Sequence, residues 1–305
     1  MIRLPALGMG CAALSIDSPE TGDEAAVDLL VHAHACGVRC FDAAPLYGGG
    51  RAEVLLGRAL ARMPGPVCVS TKVGYTGAIP YGGRQAPQDR RKDFSAAAVE
   101  RSIEDSLRRL NREAVDIVFL HDPDGDLDAI TRQALPTLER LRAQGLVRAL
   151  GVGTTRVAMA QAALERWPLD VLLLAGRWTL IDRSGEAIVA RCQAMGVQLV
   201  AGGVFNSGLL AADRPAQGGH FDYAPATEPM RDRADRAQRL CLAAGLPLKA
   251  AAVQFARRHP GVTTTLLGPR TRSEFDELVT LLASPVPPVL WAQIDSLFDP
   301  QVLSS

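Results

Sequence analysis

The stretch Val115–His121 reads VDIVFLH, and its pattern indicates how the chain folds. Its inner positions, 117–120, are apolar without alternation, which is typical of a parallel strand that is covered on both faces. Apolar residues then recur at three- and four-residue spacing from Leu127 to Leu141, which predicts an amphipathic helix. The segment therefore predicts a parallel strand followed by a helix that packs on the sheet.

The same alternation of strand and helix runs along the whole chain. Eight short apolar runs predict strands at 6–9, 38–42, 67–71, 115–121, 149–153, 171–175, 197–201 and 263–267. Because no linker-like change in composition divides the chain, these units predict an α/β fold: one (β/α)8 TIM barrel domain over residues 1–305. A doubly wound open sheet is the alternative, but no G-x-G-x-x-G motif follows a strand with an acidic residue about 20 positions later.

Helix ends carry recognisable signals. Thr271 and Glu274 have the S/T-x-x-E spacing of a capping box, in which each residue satisfies a backbone N–H of the other, and they predict that a helix begins there. Glycines follow three other helical patterns, at positions where a left-handed residue commonly ends a helix. These are Gly145, Gly196 and Gly245.

Composition excludes several classes of protein. The 305 residues carry 33 Lys+Arg and 33 Asp+Glu, so the formal net charge is zero and no overall field attracts nucleic acid or anionic lipid. No apolar stretch approaches the roughly 20 residues of a membrane span, and the N-terminus lacks the pattern of a signal peptide. The six cysteines show no C-x-x-C motif, so their spacing predicts neither a zinc site nor a disulfide framework. We expect a cytoplasmic protein that binds neither nucleic acid nor membrane.

Two connections are longer than usual, at 73–94 and 206–229, and both are rich in glycine and proline. The first also carries a basic cluster that includes Arg91 and Lys92. Connections longer than about 12–15 residues are usually lids or binding loops. Since both follow predicted strands, we expect them to lie over the carboxyl-terminal face of the barrel, where active sites of this architecture are found.

Polar side chains end several predicted strands on that face. They are Asp42, Tyr47, Lys72 and His121. An aspartate beside a lysine keeps the ammonium charged and fixed, and a fixed ammonium beside a phenol favours the ionised phenol. A neighbouring histidine can donate a hydrogen bond to a substrate oxygen. Such a set of side chains can transfer a proton to or from a substrate oxygen. It cannot accept a hydride, which requires a nicotinamide.

Five motifs, three of which contain these residues, resemble the aldo-keto reductases in order and spacing, over the whole chain. They read FDAAPLYG at 41–48, STK at 70–72, LHD at 120–122, GVG at 151–153 and LG at 267–268. The resemblance implies a barrel that binds NAD+ or NADP+ across its mouth without a Rossmann domain and without a metal. It also implies that Asp42, Tyr47, Lys72 and His121 are the catalytic tetrad.

Three further segments resemble the branch of this family that contains L-fucose (D-threo-aldose 1-) dehydrogenases and pyridoxal 4-dehydrogenases. They are LLAGRWTL at 173–180, GGVFNSGLL at 202–210 and FDYAP at 221–225. The chain departs from the commoner family pattern at Gly153-Thr154, Ala175 and Gly202, where many members have Ser-Asn, glutamine and a ring-stacking tyrosine. The resemblance implies cofactor contacts at Gly153, Thr154, Arg177, Phe205, Asn206, Ser207, Gly208, Leu210, Gly268, Arg270, Arg272 and Glu274, and substrate contacts at Trp178 and Tyr223.

Glu274 bears on the choice of cofactor. In members that prefer NADPH, this position in the helix after the last strand supplies a basic residue to the 2′-phosphate. A carboxylate there would repel the phosphate and could accept a hydrogen bond from a ribose hydroxyl, which favours NAD+. Arg270 and Arg272, at the same helix start, remain available to bind a phosphate, so NADP+ stays possible.

The resemblance implies oxidation of the anomeric carbon of an aldose such as L-fucose to a lactone. Oxidation of pyridoxal, which also closes to a hemiacetal, and general reduction of aldehydes or ketones are the nearest alternatives. Two more distant ones are a Schiff-base aldolase that uses Lys72 and a non-catalytic subunit that senses the cofactor. The expected partner is a small molecule, and the sequence leaves the oligomeric state open.

Overall fold

The computed structural model describes residues 2–15, 22–76, 91–211, 219–222 and 224–298. Within these residues eight parallel strands close into a barrel in the order β1-β8-β7-β6-β5-β4-β3-β2. The strands are β1 (Leu7–Gly10), β2 (Cys40–Asp42), β3 (Cys68–Val73), β4 (Val115–His121), β5 (Val147–Thr154), β6 (Val171–Ala175), β7 (Gln198–Gly202) and β8 (Val262–Leu267). The predicted barrel is confirmed, each strand end lies within two residues of its predicted position, and the open sheet is wrong.

Helices surround the barrel and alternate with its strands. They are α1 (Asp23–Ala35), α2 (Arg51–Leu60), α3 (Ala96–Leu110), α4 (Leu127–Ala143), α5 (Val157–Arg166), α6 (Glu186–Met195), α7 (Glu228–Ala243), α8 (Leu248–Phe255), α9 (Arg272–Ala283) and α10 (Pro288–Ser296). Two short antiparallel pairs lie outside the barrel: Tyr75–Thr76 with Arg91–Lys92, and His220–Phe221 with Ala224–Pro225.

The core has two layers because strand side chains alternate between the faces of the barrel wall. Inside the barrel, residues such as Ile117, Phe119 and Leu173 form one buried cluster, while a larger cluster joins the outer faces of the strands to the helices. The Phe119 ring lies over Gly151 on the neighbouring strand, where a Cβ would lie 2.7 Å from the ring and 2.4 Å from the carbonyl oxygen of Val171. Only glycine therefore fits at that point of β5.

The amino-terminal end of the barrel is covered by the start of the chain. The side chain of Gln198 accepts a hydrogen bond from the backbone N–H of Leu4 at 3.0 Å and donates one to the carbonyl oxygen of Ile2 at 2.7 Å. Ile2 and Leu4 also pack against the cluster inside the barrel. The opposite end, where the polar strand ends lie, is where a ligand can approach.

The predicted helix ends are largely confirmed. Gly145, Gly196 and Gly245 have φ of +79°, +71° and +73° at the ends of their helices. The Thr271 side chain accepts a hydrogen bond from the N–H of Glu274 at 3.1 Å, but the reciprocal bond of a capping box is absent. Instead, Glu274 accepts from the N–H of Arg270 at 2.7 Å, because it reaches one residue further back.

Long apolar helices are absent from the described ranges: no single helix there is long and apolar enough to cross a membrane. Two sharply bent pairs, Glu228–Ala243 with Leu248–Arg258 and Arg272–Ala283 with Pro288–Ser296, meet the length and composition test only when taken together.

Candidate active site

The turn after β2 presents Tyr47 at the carboxyl-terminal face. It carries three consecutive glycines with φ of +61°, +65° and +89°, at Gly48, Gly49 and Gly50. A Cβ on Gly48 would lie 2.9 Å from the Cβ of Ser15, and one on Gly50 would lie 2.6 Å from the Arg109 side chain. Both the left-handed backbone and this close packing require glycine, and together they hold Tyr47 next to the strand ends.

Lys72 and Asp42 form a buried ion pair on adjacent strands. The Lys72 Nζ lies 2.6 Å from Asp42 Oδ2, and the two side chains are only 2% and 5% exposed. Lys72 also donates to the carbonyl oxygen of Ala43 at 2.9 Å, and the Ser70 hydroxyl donates to the other Asp42 oxygen at 2.7 Å. Buried charges are tolerated when they are paired and hydrogen-bonded in this way, so the ammonium is held in one place.

The other two predicted residues lie against this pair. The Lys72 Nζ is 4.7 Å from the centroid of the Tyr47 ring, a cation–π distance. The His121 ring meets the Tyr47 ring edge-on, with centroids 6.0 Å apart and an interplanar angle of 86°. The fold therefore brings together Asp42, Tyr47, Lys72 and His121, which are separated along the sequence.

A second set of side chains, none of them predicted as a site residue, lies next to His121. The Tyr75 ring meets the His121 ring edge-on at 5.0 Å, and its hydroxyl donates to Asp122 Oδ2 at 3.3 Å. Lys92 donates to the carbonyl oxygen of Asp122 at 2.8 Å and forms an ion pair with Asp124. The sequence signals for this set were the LHD motif at 120–122, which contains Asp122, and the basic cluster of the 73–94 connection, which contains Lys92.

This second set is electrostatically unusual. Asp122 adopts a left-handed φ of +46°, which is uncommon for a residue other than glycine. Burial raises the pKa of its carboxyl above the ordinary value even though Lys92 opposes the shift. Burial and then the charge of Asp122 raise the pKa of the Tyr75 phenol. Tyr75 therefore remains a hydrogen-bond donor that orients the residues beside His121.

A cavity of about 750 Å³ runs from these strand ends to the start of α9. Asp42 and Tyr47 line one end, and Arg270 and Glu274 line the other. Of the predicted contact residues, those that line it are Arg177, Phe205, Asn206, Ser207, Gly208, Gly268, Arg270 and Glu274. The described parts of the 206–229 connection thus contribute to the wall, whereas 77–90 and 212–218 lie outside the described residues.

Arg177 holds the wall of the cavity together. Its guanidinium donates to the carbonyl oxygen of Thr155, lies 3.2 Å from Asp182, and forms an ion pair with Asp222. These contacts join the loop after β5 to the loop after β6 and to the His220–Phe221 pair. The cavity is also lined by three residues that were not predicted to contact a cofactor or substrate: Thr155, Phe221 and Asp222.

Several predicted cofactor contacts do not line the cavity. A Cβ on Gly153 would lie 3.8 Å from Lys72 Cε, so Gly153 faces the barrel interior, and the buried Thr154 hydroxyl accepts from the N–H of Arg156 at 3.1 Å. Leu210 is fully buried in the hydrophobic core. The Arg272 side chain is 68% exposed and faces Asp276. None of the four lines the cavity, and as cofactor contacts they stay predictions.

Of the two predicted substrate contacts, only Trp178 lies among the described residues, and it does not line the cavity. Trp178 is 6% exposed, and its indole N–H donates to the carbonyl oxygen of Ala256 at 3.2 Å. Its ring packs against Phe255 and His259, at 5.0 and 5.6 Å between centroids, so it belongs to the core beneath α8. A substrate contact at Trp178 therefore stays a prediction that this placement does not support, and Tyr223 lies outside the described residues.

The turn after β7 has the features of a site that receives a polar ligand. Asn206 and Ser207 have left-handed φ of +46° and +55°, between Gly203 at +61° and Gly208 at +95°. The Asn206 amide donates to the carbonyl oxygen of Gly176 at 3.2 Å, but its buried Oδ1 has no hydrogen-bond partner. Because an unpaired buried oxygen is costly, it favours a ligand that donates to it. An elongated cavity with such a wall fits a dinucleotide.

Comparison of the sequence with known protein families supports an interpretation consistent with this geometry. The profile of the Aldo/keto reductase family matches residues 6–299. The chain belongs to this family. It is therefore an NAD(P)-dependent oxidoreductase, as the sequence motifs predicted.

Two curated relatives and one solved structure illustrate the similarity of this aldo/keto reductase to known proteins. D-threo-aldose 1-dehydrogenase of a Pseudomonas species is 32% identical over 96% of this chain and 94% of its own. Pyridoxal 4-dehydrogenase of Microbacterium luteolum is 34% identical over 97% and 94%. An aldo-keto reductase of Bacillus halodurans in its holo form superposes with a TM-score of 0.78 at 23% identity, over 95% of this chain and 91% of that one. That superposition agrees with the barrel described above.

Two of the three departures of this aldo/keto reductase from the commoner family pattern, at Ala175 and Gly202, meet at one place. Ala175 and Gly202 pair across β6 and β7, and both line the cavity. A Cβ on Gly202 would lie 3.5 Å from the Ala175 Cβ and from Leu173, which are ordinary contacts. Because backbone crowding does not require glycine here, its small size leaves open the space that a larger side chain would fill.

Charged side chains surround the far end of the cavity. The Arg270 guanidinium lies 2.7 Å from Glu274, and Lys249 on α8 lies 2.9 Å from Glu277 on α9. Burial by itself raises the pKa of Glu274, but hydrogen bonds from the Arg270 side chain and backbone outweigh it and hold the pKa below its ordinary value. Glu274 is therefore ionised near neutral pH and forms a closed pair with Arg270.

Proposed function

We propose that this aldo/keto reductase oxidises the anomeric carbon of an aldose such as L-fucose to the lactone, with NAD+ or NADP+ as the oxidant. The observation that supports it best is the buried Lys72–Asp42 pair, with the Tyr47 ring 4.7 Å from the ammonium and the His121 ring edge-on to Tyr47. This arrangement suits removal of a proton from a hydroxyl group. The similarity to D-threo-aldose 1-dehydrogenase supports a sugar hemiacetal as the substrate.

Each side chain of the tetrad has a role in this proposal. Tyr47 accepts the proton of the C1 hydroxyl while the C1 hydrogen leaves as hydride, and the C1–O bond becomes the lactone carbonyl. Lys72 favours the ionised form of Tyr47, and Asp42 holds Lys72 in place. His121 donates a hydrogen bond that aligns the substrate oxygen. Nicotinamide supplies, when bound, the hydride acceptor that no side chain provides.

Residues along the cavity would hold the dinucleotide. Asn206, Ser207 and Gly208 would contact it in the middle, and Gly268 and Arg270 would contact it near α9, where backbone N–H groups at a helix start favour anions. Glu274 supports a preference for NAD+, because a carboxylate repels a 2′-phosphate and can accept a hydrogen bond from a ribose hydroxyl.

Pyridoxal is the second candidate substrate. It closes to an internal hemiacetal, so its oxidation to a lactone is the same reaction on another ring. The 34% identity to pyridoxal 4-dehydrogenase supports it, and so do the aromatic side chains of Phe205 and Phe221, which line the cavity. A pyridine ring favours such aromatic walls, whereas a sugar favours hydrogen-bonding groups.

A matrix of substrates and cofactors tests the proposal. L-fucose, D-arabinose, L-galactose and pyridoxal are each incubated with NAD+ and with NADP+, and formation of reduced cofactor is followed by absorbance. We expect turnover with at least one of these aldoses, faster with NAD+. Turnover with pyridoxal alone would replace the proposal by the second candidate. Turnover only in the reverse direction, with simple aldehydes or ketones, would make the protein a general reductase.

Two controls separate the more distant functions. A Schiff-base aldolase would form a borohydride-trapped adduct at Lys72 with a carbonyl substrate, whereas a dehydrogenase reduces its cofactor without an adduct. A cofactor-sensing subunit would bind NAD+ without turning over any substrate. The cytoplasmic location, and the absence of nucleic-acid and membrane partners, stay predictions from composition.

A further inference from the structure

Three potential metal ligands meet where α1 packs against α9. His32 and Cys36 lie four residues apart at the end of α1, so they occupy the same face of the helix. The His32 Nε2 lies 2.6 Å from Asp276 Oδ1 on α9 and 3.7 Å from the Cys36 sulfur. All three ligand atoms lie within 4.8 Å of one another.

We propose that His32, Cys36 and Asp276 bind a divalent metal ion of the zinc type. Imidazole nitrogen, thiolate sulfur and carboxylate oxygen are the three side-chain donors that Zn²⁺ uses. Three protein ligands leave the fourth tetrahedral position to water, which can reach the site because Cys36 is exposed. On binding, the thiol releases its proton to solvent, so the affinity rises with pH.

The spacing of the ligand atoms suits such an ion. In a tetrahedral zinc site with bonds of about 2.0 to 2.3 Å, neighbouring ligand atoms lie about 3.3 to 3.6 Å apart. The 3.7 Å between the Cys36 sulfur and His32 Nε2 is already close to this value. The 2.6 Å hydrogen bond between His32 and Asp276 would open by less than about 1 Å as the metal replaces the shared proton.

The surroundings hold the histidine in a fixed orientation. The His32 ring meets the buried Phe275 ring edge-on, with centroids 5.6 Å apart, and the His32 side chain is 17% exposed. Arg272 lies 4.0 Å from the other oxygen of Asp276, so Oδ1 remains directed toward His32. The His32 ring therefore keeps its orientation, and half-exposed Asp276 can adjust its position to a metal.

A metal here would join two helices that are distant in sequence. His32 and Asp276 are 244 residues apart, which is why cysteine and histidine spacing along the chain gave no sign of the site. Asp276 also lies two residues after Glu274, which lines the far end of the cavity. We infer a structural role: the ion fixes the start of α9 against α1 and takes no part in hydride transfer.

Zinc binding to the full-length protein tests this inference without relying on activity. The protein is treated with EDTA, dialysed, and titrated with ZnCl₂ by calorimetry, while thermal melting is followed in parallel. We expect one Zn²⁺ per chain with a dissociation constant in the micromolar range or below. At a hundredfold excess over that constant, the Tm should rise by roughly 3–6 °C.

Three variants locate the site: Cys36→Ser, Asp276→Asn and His32→Gln. Each should weaken zinc binding at least tenfold, whereas His220→Gln, at an exposed histidine outside the cluster, should leave it unchanged. Co²⁺ provides a spectroscopic signature, because a thiolate ligand adds a charge-transfer absorption that Cys36→Ser should abolish. Melting in EDTA shows whether each variant folds, and Cys36→Ser should melt close to the parent there.

Two results would overturn the inference. If the parent binds no zinc at a hundred micromolar, His32 and Asp276 form only an ion pair beside a free thiol. If zinc binds but all three variants bind it equally well, the ion occupies another site. Both results leave the proposed dehydrogenase activity intact, because turnover of the parent in EDTA is measured separately.

Discussion

The two ends of the cavity are built differently. At one end, Lys72 and Asp42 lie on neighbouring strands with side chains 2% and 5% exposed. At the other, Arg270 and Glu274 lie at the start of α9 with side chains 61% and 35% exposed. Both are ion pairs with similar separations, 2.6 and 2.7 Å, so their environments distinguish them.

The difference shows which end tolerates change. A buried pair is little screened by solvent, and removing one partner leaves an uncompensated charge, so geometry and stability depend on both residues. An exposed pair is screened and contributes less than about 1 kcal/mol. We therefore expect substitutions at the strand ends to affect turnover and stability, and substitutions at α9 to affect mainly the choice of cofactor.

Tyr47→Phe should have the largest effect. Removing the hydroxyl removes the proposed proton acceptor, so turnover should fall by about 10² to 10⁴ while NAD+ binding is largely kept. Initial rates and calorimetric cofactor binding measure the two quantities. Tyr75→Phe is the matched control, because its hydroxyl contacts Asp122, and its turnover should fall less than about tenfold. Equal losses in both variants would contradict the role of Tyr47.

Asp42→Asn should have the next largest effect. It leaves the Lys72 ammonium buried without a carboxylate, so the free energy of unfolding should fall by about 3 kcal/mol. Urea unfolding measures this change. The double variant Asp42→Asn with Lys72→Met should recover part of the loss, since no buried charge remains unpaired. A single variant as stable as the parent would show that the pair is not held as the structure indicates.

Glu274→Gln, at the exposed end of the cavity, should change the selectivity between NADP+ and NAD+. Removing this carboxylate removes its repulsion of a 2′-phosphate, so the affinity for NADP+ relative to NAD+ should rise about five- to tenfold. Dissociation constants for the two dinucleotides provide the ratio. Arg272→Gln is the control, because that side chain points to solvent and should leave the ratio unchanged. A larger change with Arg272→Gln would place the phosphate beside Arg272 instead.

The smallest expected effect is on the contribution of Glu274 to the free energy of unfolding and on its dependence on pH. Arg270 holds the pKa of Glu274 below its ordinary value, so the folded state favours the carboxylate, and this stabilisation is present above the unfolded-state pKa. Glu274→Gln should therefore lose less than about 1 kcal/mol at pH 7, and parent and variant should converge as the pH falls through the lowered pKa. Urea unfolding over a series of pH values from 7 downward measures this, and a difference that does not shrink as the pH falls below the unfolded-state pKa would contradict it.

Residues at strand ends were the most predictable part of the site. Asp42, Lys72 and His121 each follow an apolar run, and parallel strands of a closed barrel bring such ends together. Trp178, for which a substrate contact was predicted, is buried in the core, because a large aromatic residue after a strand has the same pattern whether it faces a ligand or the core. Tyr75 and Lys92 were missed because a short antiparallel pair inside a long connection, which no periodicity marks, places them beside His121.

The amino-acid sequence by itself determined the barrel, since hydrophobic periodicity and strand length are local properties that every unit repeats. Its motifs, which resemble those of the family, also predicted the proposed tetrad, whose four side chains the fold brings together. Only the tertiary structure decided which cavity residues face the ligand, which are buried behind it, and that His32 and Cys36 meet Asp276. These depend on contacts between residues that are distant in sequence, where packing and burial, and not local pattern, decide which atoms approach one another.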